Sequence, residues 1–212
     1  MKFVMSYSCG KDSTLALHKM IEAGNEPVAL IVMVNEEAER SFFHGADYKM
    51  LQEYSKALQI PLLPTKTTGG EYHIAMEESL RKAVDMGAEA ACFGDIESNR
   101  AWSEERCASA GIKAVFPLWK RDRSENVYEL VEAGYKCLIK SINNTILPKS
   151  FLGKILDQDV IDEMKQYGID ICGENGEYHT LVIDGPIFQS PISCTLGGVL
   201  DFGEYSVIEA AS

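Results

Sequence analysis

Apolar residues in the first 120 positions come in short blocks that alternate with longer stretches of helical spacing. The blocks Phe3–Tyr7, Val28–Val34, Pro61–Thr65, Ala90–Phe93 and Ala114–Leu118 predict strands. Each is apolar at successive positions, as a strand buried on both faces must be. The stretches Ser13–Ala23, Ala46–Leu58, Glu71–Met86 and Arg100–Ala110 predict helices. Gly24, Gly87 and Gly111 stop three of them, and Ile60-Pro61 follows the other. Glycine suits the left-handed position after a helix, and proline cannot continue one. Doubly buried strands separated by helices imply the α/β class: a parallel sheet with helices on both faces and right-handed crossovers.

Ligands of such sheets bind outside the carboxyl ends of the strands. The polar segments Ser8–Ser13, Asn35–His44, Lys66–Gly70 and Gly94–Asn99 fall there and are expected to line one crevice. After residue 123 the rhythm changes. A helix at Glu125–Ala133 leads to a strand at Lys136–Ile142 and a polar Asn143-Asn144 turn. A helix at Asp157–Tyr167, capped by Asp157, precedes a strand at Leu181–Ile183. The Gly- and Ser-rich tail Ile187–Glu204 reads as antiparallel β. The chain thus divides into a nucleotide-binding-type domain, 1–123, and a smaller α+β domain, 124–212, closing over the crevice.

Composition narrows the classes. The 212 residues carry a net charge of −12 from 20 basic and 32 acidic side chains, which argues against a non-specific nucleic-acid binder. The local basic run, Lys120-Arg121-Asp122-Arg123, reads as a solvated loop. No signal pattern and no apolar run of membrane-spanning length is present, so a cytoplasmic protein without a membrane partner is expected. The 6 cysteines include no CxxC pair and are expected to be reduced, mostly buried thiols. His18, Trp102 and Trp119 are read as packing residues, with Trp119 near enough to the crevice to wall it.

The densest chemistry is Ser8-Cys9-Gly10-Lys11-Asp12-Ser13, a polar turn between the first strand and the first helix. A helix N-terminus has unpaired N–H groups and partial positive charge, so it holds phosphate oxygens. Gly10 allows close backbone approach, Ser8 and Ser13 add hydroxyls, and Lys11 adds charge. Asp12 would repel a phosphate unless a divalent cation or a donor stood between them. Neither G-x-x-x-x-G-K-[ST] nor G-x-G-x-x-G occurs, so this is not the commoner phosphate loop. The second polar string is Gly173-Glu174-Asn175-Gly176-Glu177-Tyr178-His179-Thr180. Its carboxylates and histidine suit amine binding, metal binding or proton transfer. Zinc is disfavoured: His179 lacks a His or Cys partner at ligand spacing, and carboxylates suit magnesium better. His44 follows the second strand within reach of a nucleotide or substrate. Gly94-Asp95 ends the fourth, where a glycine permits close approach to a ligand.

The loop at 8–13 resembles the PP-loop, S-G-G-x-D-S, of the ATP pyrophosphatases, with Cys9 in place of a glycine. The wider chain resembles the diphthine–ammonia ligase family over about residues 2–190. Matching pieces are Phe43-His44, Gly94-Asp95-Ile96, Arg100, Glu104 and Cys107 as R-x-x-x-E-x-x-C, and Pro117-Leu118-Trp119. The second string falls where that family has G-E-G-G-E-x-E-T, followed by a matching Leu-Val-Ile-Asp-Gly-Pro-Ile-Phe. Asn175 replaces a glycine there and His179 a glutamate, a form that resembles a separate branch connected with cobalamin metabolism.

The resemblance implies a Rossmann-like sheet of HUP type and a ligase using ATP and Mg²⁺. A carboxylate, on a small molecule or borne by a protein, attacks the α-phosphorus, and ammonia displaces AMP. It implies that Ser8, Cys9, Gly10, Lys11, Asp12, Ser13, His44, Gly94 and Asp95 bind the nucleotide. Asp12, Glu174, Glu177 and His179 would be catalytic, and Asn175 and Thr180 would bind the acceptor. Diphthine is not fixed as the acid, and a homodimer is an open assembly. A sulfur-transfer relative would need a cysteine pair and a basic face, which are missing; a non-catalytic ATP sensor would have no use for the second string.

Overall fold

The computed structural model describes every residue except Phe43, so that half of the Phe43-His44 match lies outside the described residues. The first part alternates β1 (Lys2–Ser6), α1 (Lys11–Glu22), β2 (Glu26–Asn35), a two-residue β3 (Arg40–Ser41) and α2 (Tyr48–Leu58). It continues with β4 (Leu62–Thr67), α3 (Tyr72–Asp85), β5 (Ala90–Cys92), α4 (Arg100–Ala110) and β6 (Lys113–Val115). The long strands pair in parallel in the order β4-β2-β1-β5-β6. Because β1 turns both outward, to β2 and to β5, the chain reverses its winding there. Such a switch point opens a crevice at the carboxyl ends. Strand β1 shows why the pattern was continuous: Phe3 and Met5 enter one apolar cluster and Val4 the other, on the opposite face.

Two departures from the expected elements have identifiable reasons. The strand expected through Leu118 ends at Val115, because Pro117 has no N–H for the ladder, and the chain turns with Trp119 N bonded to the Phe116 carbonyl (3.2 Å). The hairpin that creates β3, antiparallel to the end of β2, is too short to leave an alternation signal.

Helix α5 (Arg123–Glu132) leads into a four-stranded antiparallel sheet, ordered β8-β7-β10-β9, of β7 (Lys136–Asn143), β8 (Tyr178–Asp184), β9 (Thr195–Phe202) and β10 (Tyr205–Ala211). Helix α6 (Gln158–Lys165) lies between β7 and β8 in sequence, and Asp157 caps it as expected, accepting from Val160 N at 2.9 Å. The tail forms strands only from Thr195, since Pro186 and Pro191 break the preceding stretch. One continuous apolar cluster joins the sheets: Leu15 and Leu17 of α1, Tyr54 of α2, Ile139 of β7 and Val182 of β8 all belong to it. Each such side chain contributes about 1.5–3 kcal/mol by burial, so β8 is fixed against α1 by the same core that holds the parallel sheet. No helix among the described residues is long and apolar enough to cross a membrane.

Candidate active site

Strand β1 delivers the 8–13 loop to the carboxyl edge, and the loop is held largely by its own atoms. Ser8 and Ser13 hydroxyls lie 3.0 Å apart, Gly10 N donates to Ser8 Oγ (3.3 Å), and Ser13 Oγ donates to the Gly10 carbonyl (3.1 Å). Cys9, buried, takes the left-handed conformation (φ +68°), which explains why a glycine stands there in the PP-loop pattern. Helix α1 begins at Lys11, two residues before the expected start, so the loop itself forms the first turn and Asp12 and Ser13 carry orphan N–H groups.

The second string reaches the loop directly. Thr180 Oγ1 accepts from Lys11 N (3.1 Å), and Val182 N donates to the Cys9 carbonyl (2.9 Å). Lys11 is buried, with Nζ 2.7 Å from Asp12 Oδ2 and 5.8 Å from the Tyr178 ring centroid. Burial opposes its charge, but Asp12, Cys172 and Tyr178 together outweigh it and hold the ammonium well above the ordinary lysine range. The donor that Asp12 needed is therefore the neighbouring Lys11.

Asp12, Cys172 and Glu174 bring their ligand atoms within 4.8 Å of one another. Burial, and then the Asp12 charge, push Glu174 upward, and burial pushes the Cys172 thiol to about 12, so it stays protonated near neutrality. Two convergent carboxylates suit a hard divalent cation, whereas a protonated thiol contributes little to it. Glu177 is buried and clamps the string: Asn175 donates to it from its backbone N (3.0 Å) and from Nδ2 (3.1 Å). Arg123 reaches the string through Asn175 Oδ1 (3.4 Å) and is paired with Asp170 (2.5 Å) and with Glu97 of the crevice (2.8 Å). Together with the Arg121–Glu129 pair (2.7 Å), this neutralises most of the basic run.

His44 and His179 meet edge to face, ring centroids 5.5 Å apart. Burial, then His179 and Lys11, push His44 down to about 3. Burial and Lys11 also lower His179, so both rings are neutral near pH 7. The His44 ring stands on Gly10, where an added Cβ would lie 2.6 Å from Cε1. His44 Nδ1 is buried without a partner among the described residues.

Gly94 approaches backbone: a Cβ there would lie 2.8 Å from Ser13 N and 2.9 Å from Asp12 C. Its lack of a side chain seats the end of β5 against the phosphate-type loop. Next to it, Asp95 is raised to about 6, chiefly by burial, and lines a cavity of about 460 Å³ with Ser6, Tyr72, Phe93, Asn99 and Trp102. A smaller neighbouring hollow joins Ser8, Phe42 and Tyr72. Parts of three polar segments thus line these spaces around Tyr72, and the fourth touches it where Tyr72 N donates to the Gly69 carbonyl (3.3 Å), while Lys66 lies in a separate recess with Asn35. The tryptophan reading reverses here. Trp102 walls the cavity, while Trp119 packs on Phe116 and Arg100, whose Cζ lies 5.2 Å from each ring. Tyr72, missed from sequence, stands in the Gly70–His73 stretch at a helix start that faces the crevice. His18 packs as expected, bonding Tyr135 at 2.7 Å, and 5 of the cysteines are buried.

Comparison with known proteins gives these features a family. A family model described as the diphthamide synthase N-terminal domain matches residues 1–114, and one described as the diphthamide synthase C-terminal domain matches residues 122–199. The diphthine–ammonia ligase of Danio rerio is 28% identical, over 91% of this chain and 86% of its own. That of Homo sapiens is 25% identical, over 91% and 82%. A solved chain described as a predicted subunit of tRNA methyltransferase from Methanocaldococcus jannaschii superposes with a TM-score of 0.47 at 15% identity, covering 91% of this chain and 100% of that one. With both halves matched in order, the chain belongs to the diphthamide synthase family, whose curated members include the diphthine–ammonia ligases.

Proposed function

We propose that this chain joins a carboxylic acid to ammonia at the expense of ATP, releasing AMP and pyrophosphate. The observation that carries the reading is the meeting of the two polar strings, with Thr180 accepting from the first turn of the loop helix. In the first step an acid oxygen bonds to the α-phosphorus and the bond to pyrophosphate breaks. In the second, ammonia attacks the acyl carbon, AMP leaves, and a base takes the surplus proton. Residues 1–123 would hold the nucleotide and 124–212 the acceptor. Ser8, Gly10, Ser13 and the orphan amides of Asp12 and Ser13 suit the pyrophosphate, and Lys11 is charged to meet it. Asp12 and Glu174 would hold magnesium, which supplies charge neutralisation at the phosphates. Asp95 would border the nucleotide in its cavity, and Gly94 would back the loop that holds the phosphates.

His179, neutral and facing the loop, suits the base role. Glu177, with both oxygens engaged by Asn175, acts as a positioning residue. Where relatives bear diphthine in their name, the acceptor of this chain is proposed only as a carboxylate. His179 stands where the ligase pattern has glutamate, and removing an acid there favours a less cationic acceptor.

A pyrophosphate-release assay with candidate acids and ammonia tests the reading. Release should require the acid and fall at least about a hundredfold in Asp12→Ala. Equal release from wild type and Asp12→Ala would rule it out, and unchanged turnover in His179→Ala would remove the base.

A further inference from the structure

His44 also lines a second cavity, of about 350 Å³, between the β2–β3 hairpin and the antiparallel sheet. Its apolar walls include Phe42, Leu200 and Phe202; its polar lining is Arg40, Lys140, Ser141 and Glu209. Lys140 lies on β7 in the otherwise apolar run Cys137-Leu138-Ile139, and is only 4% exposed. Its ammonium donates to the Ile208 carbonyl, and among the described residues no carboxylate reaches it within ion-pair distance. Arg40 is likewise without a carboxylate partner, bonding the Gly45 carbonyl at 2.9 Å.

The one acid in the lining, Glu209, acts on Lys140 without an ion-pair contact and is bonded on its own strand pair. Glu209 Oε2 accepts from Gly198 N (3.2 Å), and a Cβ on Gly197 would lie 2.9 Å from Glu209 Cβ. In a chain of net charge −12, two cations therefore converge on an apolar cavity with no anion of the protein paired to either. A buried ammonium without a counter-ion is costly. Burial, then Arg40, already lower Lys140 to about 8. An anionic ligand would relieve that cost.

We propose that this cavity seats the acceptor acid, an organic carboxylate whose anionic end pairs with Lys140 and Arg40 and whose apolar part lies against Phe42 and Phe202. The assignment rests on the ligase reading above and adds the residues that choose the acid. It also gives His44 a place: one ring bounds both this cavity and the space over Gly10. Recognition by charge at one end and apolar contact along the body is the ordinary division of labour in small-molecule pockets.

The test is an amide NMR titration of the full chain with acetate, benzoate, benzamide and inorganic phosphate at constant ionic strength. Acetate and benzoate should shift Ser141 and Val207 saturably, benzoate more tightly. Lys140→Met should weaken benzoate by roughly tenfold or more, and Arg40→Gln, on an exposed side chain that leaves the core intact, by a few-fold. Non-saturating shifts with both carboxylates would overturn the proposal. So would benzamide or phosphate binding as tightly as benzoate, or unchanged affinity in both variants. ATP is titrated separately and followed at Ser13. Carboxylate binding without ATP binding would sink the ligase reading while the acid site stands; ATP binding without carboxylate binding would do the reverse.

Discussion

The two polar strings of the site are built on opposite plans. The loop at 8–13 is held by bonds among its own residues, Ser8 to Ser13, Gly10 to Ser8, and Ser13 back to Gly10. The string at 173–180 gives up one of its carboxylates to hold itself: Glu177 binds Asn175 twice, and Tyr178 OH donates to the Ile171 carbonyl at 2.5 Å. The first spends its hydroxyls and the Gly10 amide on its own turn and leaves the Asp12 and Ser13 amides at the helix start for a ligand. The second engages one of its two glutamates within its own fold.

The sharpest way to break this contrast is at the glycines that flank the loop. Gly94→Ala would drive a Cβ into the backbone of Asp12 and Ser13, which can yield only by moving the loop. A destabilisation of about 3 kcal/mol is expected from such overpacking, together with loss of pyrophosphate release. Gly10→Ala meets only the His44 ring, which can turn away, and should cost less. Urea denaturation of both variants decides the order. If Gly10→Ala proved the costlier, the loop would depend on His44 rather than on its own backbone.

Next in size is the electrostatics beside the loop. Asp95 titrates at about 6 in the folded chain, above the 3.8 of an unperturbed aspartate. The folded state therefore binds the extra proton between those values. Asp95 favours folding at pH below 3.8, and that contribution is lost as pH rises through 6. Asp95→Asn cannot ionise, so it should stabilise the chain by about 2 kcal/mol at pH 7, with the gain vanishing toward pH 4. Thermal melts across that range measure it; a gain independent of pH would mean that packing, not charge, is responsible.

The same contrast governs what the sequence made legible. Continuous apolar blocks identified the doubly buried strands, and the consecutive polar residues 8–13 identified the loop, because in both the information is local. Sequence reasoning did not single out Lys140, which lines the second cavity, although a lysine inside an apolar strand run was the available signal. It did not show the bonds from Asn175 to Glu177, which appear only in three dimensions. It preferred Trp119 to Trp102 because Pro117 ends β6 early and turns Trp119 onto Phe116. The contact of Thr180 with Lys11 spans 169 positions, beyond any local pattern.

That contact gives the third prediction. Thr180→Val keeps the shape but removes the acceptor for Lys11 N–H, and should cost about 1 kcal/mol, as the loss of a helix cap does. Faster amide exchange at Lys11, restored by Thr180→Ser, would show that the second string organises the first. Unchanged exchange would mean that Thr180 adds nothing to the bonds that already hold the loop.

The smallest effect concerns Cys9, where the PP-loop pattern has glycine. At φ +68° a side chain costs about 1 kcal/mol, while burying the thiol and its methylene returns a similar amount. Cys9→Gly relieves the strain and loses the packing, so its stability should fall within about 1 kcal/mol of wild type. Cys9→Ala keeps the strain and loses the sulfur, so it should be the less stable of the two. If alanine were instead the better replacement, the position would be governed by packing against Tyr54 and its neighbours in the core. The glycine of the pattern would then have to be explained by the ligand's close approach rather than by the backbone.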